Sequence, residues 1–300
     1  MDRALRACVA AGADPVTALQ FATINAAQCL GVDADMGSVT PGKCADLVIL
    51  PDLESFVPDE VLIDGELVAQ DGHALFDNPL FEWPDFMTHT MNVGRSFTAS
   101  DFEIHVDRPD GFARVRAIGG VGGSTITQDC VIEVPVRDGK LEANPEIDAI
   151  KMAVFDRHHG AAGTHSYGFC TGFGVHGALA QTVSHDSHNL LVVGDNDEDM
   201  ALAARTLVEC GGGEVAVADG KVLALVKLLV CGLMSDRHVE GVAAEVAGIE
   251  QAWADMGCKM PSPFMTMGIL SLPCVPELRL TNRGYVNCVT FQFEDLLVKD

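Results

Sequence analysis

The sequence predicts an α+β protein in which short helices and a small β module precede a larger mixed domain. Two local patterns support the first part of this prediction. Asp14 and Pro15 place a capping residue and a proline at the start of a helix, and helical spacing continues to Gly31. Asp64 and Gly65 separate two apolar runs, which is a strong signal for a two-residue β-hairpin.

Strands resume at about residue 111 and predict the larger mixed domain. Strand-like runs occur at 113–118, 129–136, 150–155, 178–184 and 189–193. Two helices follow them. Asn196 is positioned to cap the first helix, which ends before Gly211. The second begins after Ser235 or Asp236 and ends before Gly257.

Composition excludes several classes of protein. The 300 residues are 48% hydrophobic and carry a formal net charge of −24, spread along the chain. Such a charge repels nucleic acid and anionic lipid, so neither is an expected partner. The longest apolar run, 222–234, contains Lys227 and is shorter than the ~20 residues that a membrane span needs. With no signal-peptide pattern at the start, we expect a cytoplasmic protein.

The ten cysteines predict neither a disulfide framework nor a zinc site. They include no C-x-x-C pair, and several lie in apolar surroundings. We expect reduced, mostly buried thiols that behave as small hydrophobic residues.

The strongest candidate for chemistry is the segment from Thr182 to Asn189, which contains His185, Asp186 and His188. It lies between two β-rich runs, so its polar side chains are expected at a hairpin tip or strand end. Two imidazoles and a carboxylate there are able to bind a metal or move protons. The alternative is that these residues only form an exposed turn, and residue types alone do not decide between the two.

A second candidate is the segment from Arg157 to Gly160, which contains His158 and His159. It follows a short apolar run, which fits a strand end that opens onto a cleft. Adjacent residues on a strand point to opposite faces, so at most one histidine would reach a given site. The other would pack or cap.

Three other motifs carry less weight. Residues 172–177 match G-x-G-x-x-G, but the run after them is a strand instead of the helix that dinucleotide binding needs. His238 and Glu240 match half of a zinc deaminase motif, but Glu277 stands where its last cysteine belongs. These two residues fit the polar first turn of a helix better. The H-x-H of barrel amidohydrolases occurs nowhere in the chain.

Short segments along nearly the whole chain carry a recognisable family pattern. They are residues 14–16, 22–27, 36–50, 61–68, 156–160, 168–174, 185–189, 192–200, 211–213, 232–236, 263–266 and 276–278. Together they resemble microbial adenine deaminases of the amidohydrolase superfamily. The first segments are shared across amidohydrolases, and the later ones are specific to adenine deaminases.

The resemblance implies a division into four regions. Residues 1–35 would be the last barrel helices, 36–75 part of a small β-sandwich, 76–110 a linker and 111–300 the C-terminal α+β domain. An eight-stranded α/β barrel needs at least ~200 residues. We therefore expect the chain to lack most of the catalytic barrel.

The resemblance also implies an activity, the hydrolysis of adenine to hypoxanthine and ammonia. In the family a metal-bound hydroxide, on manganese or iron, would attack C6 of the purine. The metal ligands of the family lie on barrel strands, which would precede Met1, so none is carried onto a position here. We expect this chain to be inactive alone.

The same resemblance implies roles and partners. His185, Asp186 and His188 are expected to line the catalytic site, and His158, His159 and Asn189 to bind the substrate. The expected partners are adenine, a separate barrel polypeptide and further copies of this chain. Two alternatives remain, namely a non-catalytic purine-binding or assembly module and a free-standing metal hydrolase built on the two histidine clusters.

Overall fold

The α+β class is confirmed by a computed structural model, which describes residues 1–120 and 122–298 and contains both helices and strands. The chain forms two compact units. The first unit is Met1–Pro79, and the second begins at Leu80. Within the described residues, every helix is too short or too polar to cross a bilayer.

The first unit contains three helices followed by one antiparallel sheet. Its helices are α1 (Asp2–Ala10), α2 (Pro15–Ala22) and α3 (Ile24–Leu30). Its strands, which also lie in this order in the sheet, are β1 (Leu47–Ile49), β2 (Glu60–Ile63), β3 (Glu66–Gln70) and β4 (His73–Ala74).

The helix predicted to run without interruption to Gly31 is two helices, so that prediction is wrong in extent. Thr23, at φ −126° and ψ −96°, ends α2 and precedes α3, and its hydroxyl donates to the Leu19 carbonyl at 2.7 Å. The predicted ends are confirmed. The Asp14 carboxylate accepts from the Thr17 backbone N–H at 2.9 Å, and Gly31 adopts a left-handed conformation.

The predicted hairpin joins β2 to β3. Asp64 and Gly65 both have positive φ, 50° and 82°, and Ile63 pairs with Glu66. Two residues of positive φ match the right-handed twist of the flanking strands, which is why Asp-Gly is favoured there.

Little of the first unit is buried. Its small core contains Leu5, Ala18 and Phe56, with Ala27 buried nearby. Many large apolar side chains are exposed, among them Phe21, Val48, Ile49, Ile63, Leu67 and Phe76.

The second unit is built on a ten-stranded sheet. In chain order its strands are β5 (Ile104–His105), β6 (Gly111–Gly119), β7 (Gln128–Arg137), β8 (Lys140–Leu141), β9 (Ile150–Phe155), β10 (His165–Thr171), β11 (Ala178–Gln181), β12 (Leu190–Gly194), β13 (Gly213–Ala218) and β14 (Lys221–Lys227). Their order in space is β14-β13-β11-β12-β9-β10-β6-β7-β8-β5. Among the described residues, β6 and β10 are the one pair of neighbours in this sheet that run parallel. Strand β9 lies between β12 and β10 in this order, in the interior of the sheet.

Besides short 3-10 turns, the described residues of the second unit also form four α-helices and a small antiparallel sheet. The helices are α4 (Asp85–Thr88), α5 (Asp197–Cys210), α6 (Val239–Asp255) and α7 (Pro263–Ile269). The small sheet consists of β15 (Leu278–Thr281), β16 (Gly284–Asn287) and β17 (Gln292–Glu294).

Both faces of the large sheet carry a core. Alternate residues of β9 point to opposite sides, so Ala153 and Phe155 pack with α5, whereas Met152 and Val154 pack with α6 and α7. This double burial explains why β9 is apolar almost throughout instead of alternating.

The boundary between the units lies inside the predicted linker, residues 76–110. From Leu80 onward this segment contains α4, a 3-10 turn at Ala99–Phe102 and strand β5. Phe97 and Phe102 are buried, and their ring centroids lie 4.8 Å and 5.4 Å from that of Phe155. These contacts join the segment to the core of the second unit.

The cap of α5 is confirmed, because Asn196 accepts from the Asp199 N–H and Gly211 ends the helix. The start of α6 differs from the prediction. Its N-cap is His238, so the helix begins three residues beyond Asp236, and Glu240 lies in its first turn.

The expectation of mostly buried cysteines is wrong. All ten thiols are free, but only three are buried, namely Cys170, Cys258 and Cys288. Four of the others, Cys8, Cys29, Cys44 and Cys274, are exposed.

Replacing Asn196 tests the α5 cap. The Asn196 side chain accepts from the Asp199 N–H at 2.8 Å and donates to the Asp199 carboxylate at 2.9 Å. Asn196→Ala removes both bonds, and we expect a loss of about 1 kcal/mol in the free energy of unfolding, measured by urea denaturation. Asn196→Ser keeps an acceptor and serves as the control. An alanine variant as stable as the wild type would contradict this account.

Candidate functional site

The predicted turn joins β11 to β12, and residues 185–188 are called the histidine turn here. The His188 N–H donates to the Ser184 carbonyl at 2.6 Å, which closes the turn. The His185 N–H donates to the Gly268 carbonyl of α7 at 2.7 Å. The two imidazole centroids are 5.5 Å apart. The turn therefore places both rings next to each other at one end of the large sheet.

His188 has an unusual backbone and an unusual ring environment. Its φ of +48° lies in the left-handed region, which a residue with a Cβ adopts at a cost. Its Nδ1 is buried without a hydrogen-bond partner among the described residues. Burial, followed by the charges of His185 and Arg157, lowers the pKa of the His188 imidazole. The ring is therefore neutral at pH 7 and is able to accept a proton.

Asn189 lies directly behind the histidine turn. It is buried, and its Oδ1 has no hydrogen-bond partner in the part of the chain that the structure describes. Asp186 and Ser187, by contrast, are exposed at the tip. The Asp186 carboxylate and the Ser187 hydroxyl therefore face outward, whereas the Asn189 amide behind the turn is buried.

The second predicted cluster lies in a turn after β9 and not on a strand, so strand alternation does not decide where its histidines point. The His158 Nε2 lies 2.9 Å from the Ser187 carbonyl oxygen, which brings His158 to the histidine turn. His159 does not reach that turn. Its Nδ1 lies 2.8 Å from the Asp156 carboxylate, and its side chain is largely exposed.

Asp156 organises this second turn. Burial raises the pKa of the Asp156 carboxyl, but hydrogen bonds from the His158 N–H, the His159 ring and the His159 N–H outweigh that effect. The net pKa is below its ordinary value. The carboxylate is therefore ionised at neutral pH and holds both histidine backbones in place.

Arg157 is a site residue to which the sequence assigned no role. Its side chain is 1% exposed. Its guanidinium donates to the carbonyls of His188, Thr90 and Cys231, and also to the Thr90 hydroxyl. No sequence pattern signals this role, because the acceptors lie 31 to 74 residues away along the chain.

A groove of about 430 Å³ begins at the histidine turn. Its polar lining includes Asp186, Ser187 and Arg283, and its apolar lining includes Leu272 and Phe293. The Ser271 hydroxyl, which also lines the groove, donates to the His185 carbonyl at 3.1 Å. The groove is therefore attached to the turn that carries the predicted catalytic residues.

The two histidine clusters do not fit a metal ion. Within residues 1–120 and 122–298, no three His, Cys, Asp or Glu side chains are arranged to hold one. In the second cluster, ring nitrogens already face other groups. The His158 Nε2 faces the Ser187 carbonyl, and the His159 Nδ1 faces the Asp156 carboxylate. The donors that converge here are arranged for hydrogen bonding instead.

The glycine motif at 172–177 forms turns. Strand β11 follows it, as predicted, where dinucleotide binding requires a helix. The Asp148 carboxylate accepts from the N–H groups of Gly172 and Gly174 at 2.6 Å and 2.7 Å. The role of these glycines is therefore to form the local turns and their hydrogen bonds.

Glu214 is a titratable group close to the site that the sequence analysis missed. It pairs across the sheet with Gln181, the last residue of β11 before the segment that leads into the histidine turn. Burial raises the pKa of the Glu214 carboxyl to about 7. Its position within an apolar strand gave no hint of this behaviour.

Two parts of the chain match known protein families. Residues 1–68 match the amidohydrolase family, and residues 124–292 match the adenine deaminase C-terminal domain. The second match covers more than half of the chain. The chain belongs to the adenine deaminase C-terminal domain family, as the sequence motifs predicted.

Several curated relatives match the chain from end to end. An adenine deaminase of Clostridium botulinum (strain Loch Maree / Type A3) is 46% identical over 100% of this chain and 50% of its own length. One from Moorella thermoacetica is 46% identical over 99% of the chain and 50% of the relative. One from Paracoccus denitrificans is 40% identical, with 99% and 49% covered. The chain spans about half the length of the curated relatives it matches.

Replacing His188 tests the left-handed backbone of the turn. Glycine adopts φ +48° without the Cβ penalty, so His188→Gly should be more stable than His188→Ala by about 1 kcal/mol in urea unfolding. His185 does not have positive φ, and there alanine should be the more stable of the two replacements. Equal stability of the two His188 variants would contradict the backbone assignment.

Replacing Glu214 tests the raised pKa. Because the folded pKa of about 7 exceeds the ordinary value of 4.5, this group contributes stability below pH 4.5 that is lost as the pH rises through 7. Glu214→Gln should be more stable than the wild type by about 2 kcal/mol at pH 8. This is less than the full pKa shift implies, because the side chain is partly exposed to water. The free energy of unfolding is measured at pH 5 and pH 8, with exposed Glu209→Gln as the control. If Glu214→Gln and the wild type differ in stability by the same amount at pH 5 and at pH 8, the Glu214 carboxyl is solvated and its pKa is not raised.

Proposed function

We propose that this chain is the C-terminal part of an adenine deaminase and that the complete enzyme hydrolyses adenine to hypoxanthine and ammonia. The observation that carries the proposal is the match along the whole chain, at 40% to 46% identity, to relatives named adenine deaminase. The match of residues 124–292 to the C-terminal domain of that family supports it.

The complete enzyme is proposed to use manganese or iron, held by residues of an amidohydrolase barrel. The described residues of this chain do not fit a metal ion, so none of them is assigned a step at the metal. Their proposed work is to bind and orient the purine.

The groove beside the histidine turn is the proposed purine site. Its volume of about 430 Å³ accommodates a purine, and the apolar Leu272 and Phe293 suit the faces of an aromatic base. The Asp186 carboxylate, which lines this groove, is proposed to accept from the amino or ring N–H groups of adenine. His185 and His188, on the same turn as Asp186, are proposed to line the catalytic site of the complete enzyme. Among the proposed substrate contacts, His158 lies against the turn and Asn189 lies behind it, whereas His159 faces Asp156 and does not reach the turn.

The first unit is proposed to pack against the amidohydrolase barrel of the complete enzyme. It matches the amidohydrolase family, yet few of its apolar residues are buried. Val48, Ile49 and Ile63 of its sheet are 45% to 57% exposed. Exposed apolar surface of this kind marks interaction sites. A cytoplasmic location and a homo-oligomeric assembly complete the proposal.

A non-catalytic purine-binding or assembly module is the second candidate. It is favoured by one observation, the presence of a purine-sized groove in residues that do not fit a metal ion. It predicts binding of adenine by the chain without turnover in any mixture.

Ammonia release from adenine tests the proposal. The chain is assayed alone and with a polypeptide that carries the amidohydrolase portion of one of the relatives, with manganese or iron supplied. We expect turnover only in the mixture. Asp186→Asn should lower kcat/KM about 100-fold, because it replaces one carboxylate oxygen in the groove with an amide donor. Asp138→Asn, an exposed carboxylate outside the groove lining, is the matched control.

The other outcomes separate the candidates. Turnover by the chain alone would place a metal centre within these residues and overturn the assignment of the metal to the barrel. Adenine binding without turnover in every mixture would favour the binding module. No binding and no turnover would contradict both functions.

A further inference from the structure

Arg157 is a buried cation without an anionic partner. Its side chain is 1% exposed, and its donors are met by three backbone carbonyls and one hydroxyl. Among the described residues, no carboxylate lies within ion-pair distance of it. Burying an unpaired charge is costly, so the position requires an explanation.

Arg279 shows what a purely structural arginine looks like in this fold. It is also fully buried and donates to four backbone carbonyls, those of Thr125, Ile269, Val275 and Pro276. None of these carbonyls belongs to the histidine turn. Arg157 differs because one of its acceptors is the carbonyl of His188.

The guanidinium of Arg157 joins three segments that are distant in sequence. It reaches the histidine turn through His188, the segment after α4 through Thr90, and the loop after β14 through Cys231. The guanidinium packs closely against the loop after β14. A Cβ on Gly232 would lie 2.9 Å from the Arg157 Nη1. The loop therefore admits only glycine without moving the arginine.

The bond to His188 acts on the residue that most needs support. His188 has left-handed backbone geometry, and the carbonyl that Arg157 binds belongs to that same residue. The charged and titratable groups that face its ring are His185 and Asp186 on the turn and Arg157 and His158 on the neighbouring turn. Fixing this carbonyl therefore fixes the plane of the backbone from which the His188 ring projects.

We propose that Arg157 is a positioning residue that sets the orientation of the His188 imidazole by holding its backbone carbonyl. The proposal rests on the function proposed above only in its claim on catalysis. The claim on geometry concerns this chain alone and is tested without turnover.

Histidine NMR on the complete 300-residue chain tests the geometry. The ring resonances and titration midpoint of His188 are followed in Arg157→Gln, Arg157→Lys and Arg279→Gln. In Arg157→Gln we expect the resonances to move and the midpoint to rise, because a nearby positive charge is removed. Arg157→Lys keeps the charge, so its midpoint should stay low. Arg279→Gln is the control for stability and should leave His188 unchanged.

Gly232→Ala supplies a second variant in case Arg157→Gln does not fold. The added methyl group displaces the guanidinium but leaves its charge, so the His188 resonances should move while the midpoint stays low. His188 resonances that overlay on the wild type in the folded Arg157 and Gly232 variants would overturn the proposal. Arg157 would then be structural in the same sense as Arg279.

Activity provides the second measurement, made in the mixture with the barrel polypeptide. Arg157→Gln should lower kcat/KM about 100-fold, chiefly through kcat, since misplacement by about 1 Å has effects of this size. Arg157→Lys should recover part of the loss. A moved His188 with unchanged kcat would overturn the catalytic part. A moved His188 in a protein without deaminase activity would instead count against the proposed function and leave the geometry intact.

Discussion

The burial of β9 on both faces of the large sheet is the constraint on which the site depends. All six residues of this strand are buried, and it pairs with β10 on one side and β12 on the other. Even Lys151 is buried, with its amine 2.7 Å from the Asp197 carboxylate. A strand held this firmly delivers the residues that follow it to a fixed place. Those residues are Asp156, Arg157 and the two adjacent histidines.

The site is assembled largely from backbone groups that charged side chains hold in place. The Asp156 carboxylate holds two N–H groups of its own turn, and Arg157 holds carbonyls of three other segments. Such bonds fix loop geometry without a regular element, which suits a site on loops carried by a rigid sheet. The exposed Asp186 side chain lines the adjoining groove.

The two units differ in how much of their apolar surface they bury internally. The second unit buries apolar residues on both faces of its sheet, in three large clusters. The first unit contains one small cluster around Leu5, Ala18 and Phe56 and leaves several apolar side chains of its strands exposed. This contrast agrees with its match to the amidohydrolase family and with relatives of about twice the length of this chain. Apolar surface of that extent is stabilised when a partner covers it.

The sequence by itself determined the local elements and the family. Apolar spacing, the Asn196 cap, the Asp64-Gly65 hairpin and the position of the histidine turn are encoded within a few residues, so they were predictable. Only the tertiary structure decided that His158 reaches the histidine turn while His159 does not, and that Arg157 binds His188. The raised pKa of Glu214 belongs to the same group. These features depend on which distant segments a strand brings together and on how much water they exclude, and no local pattern records either.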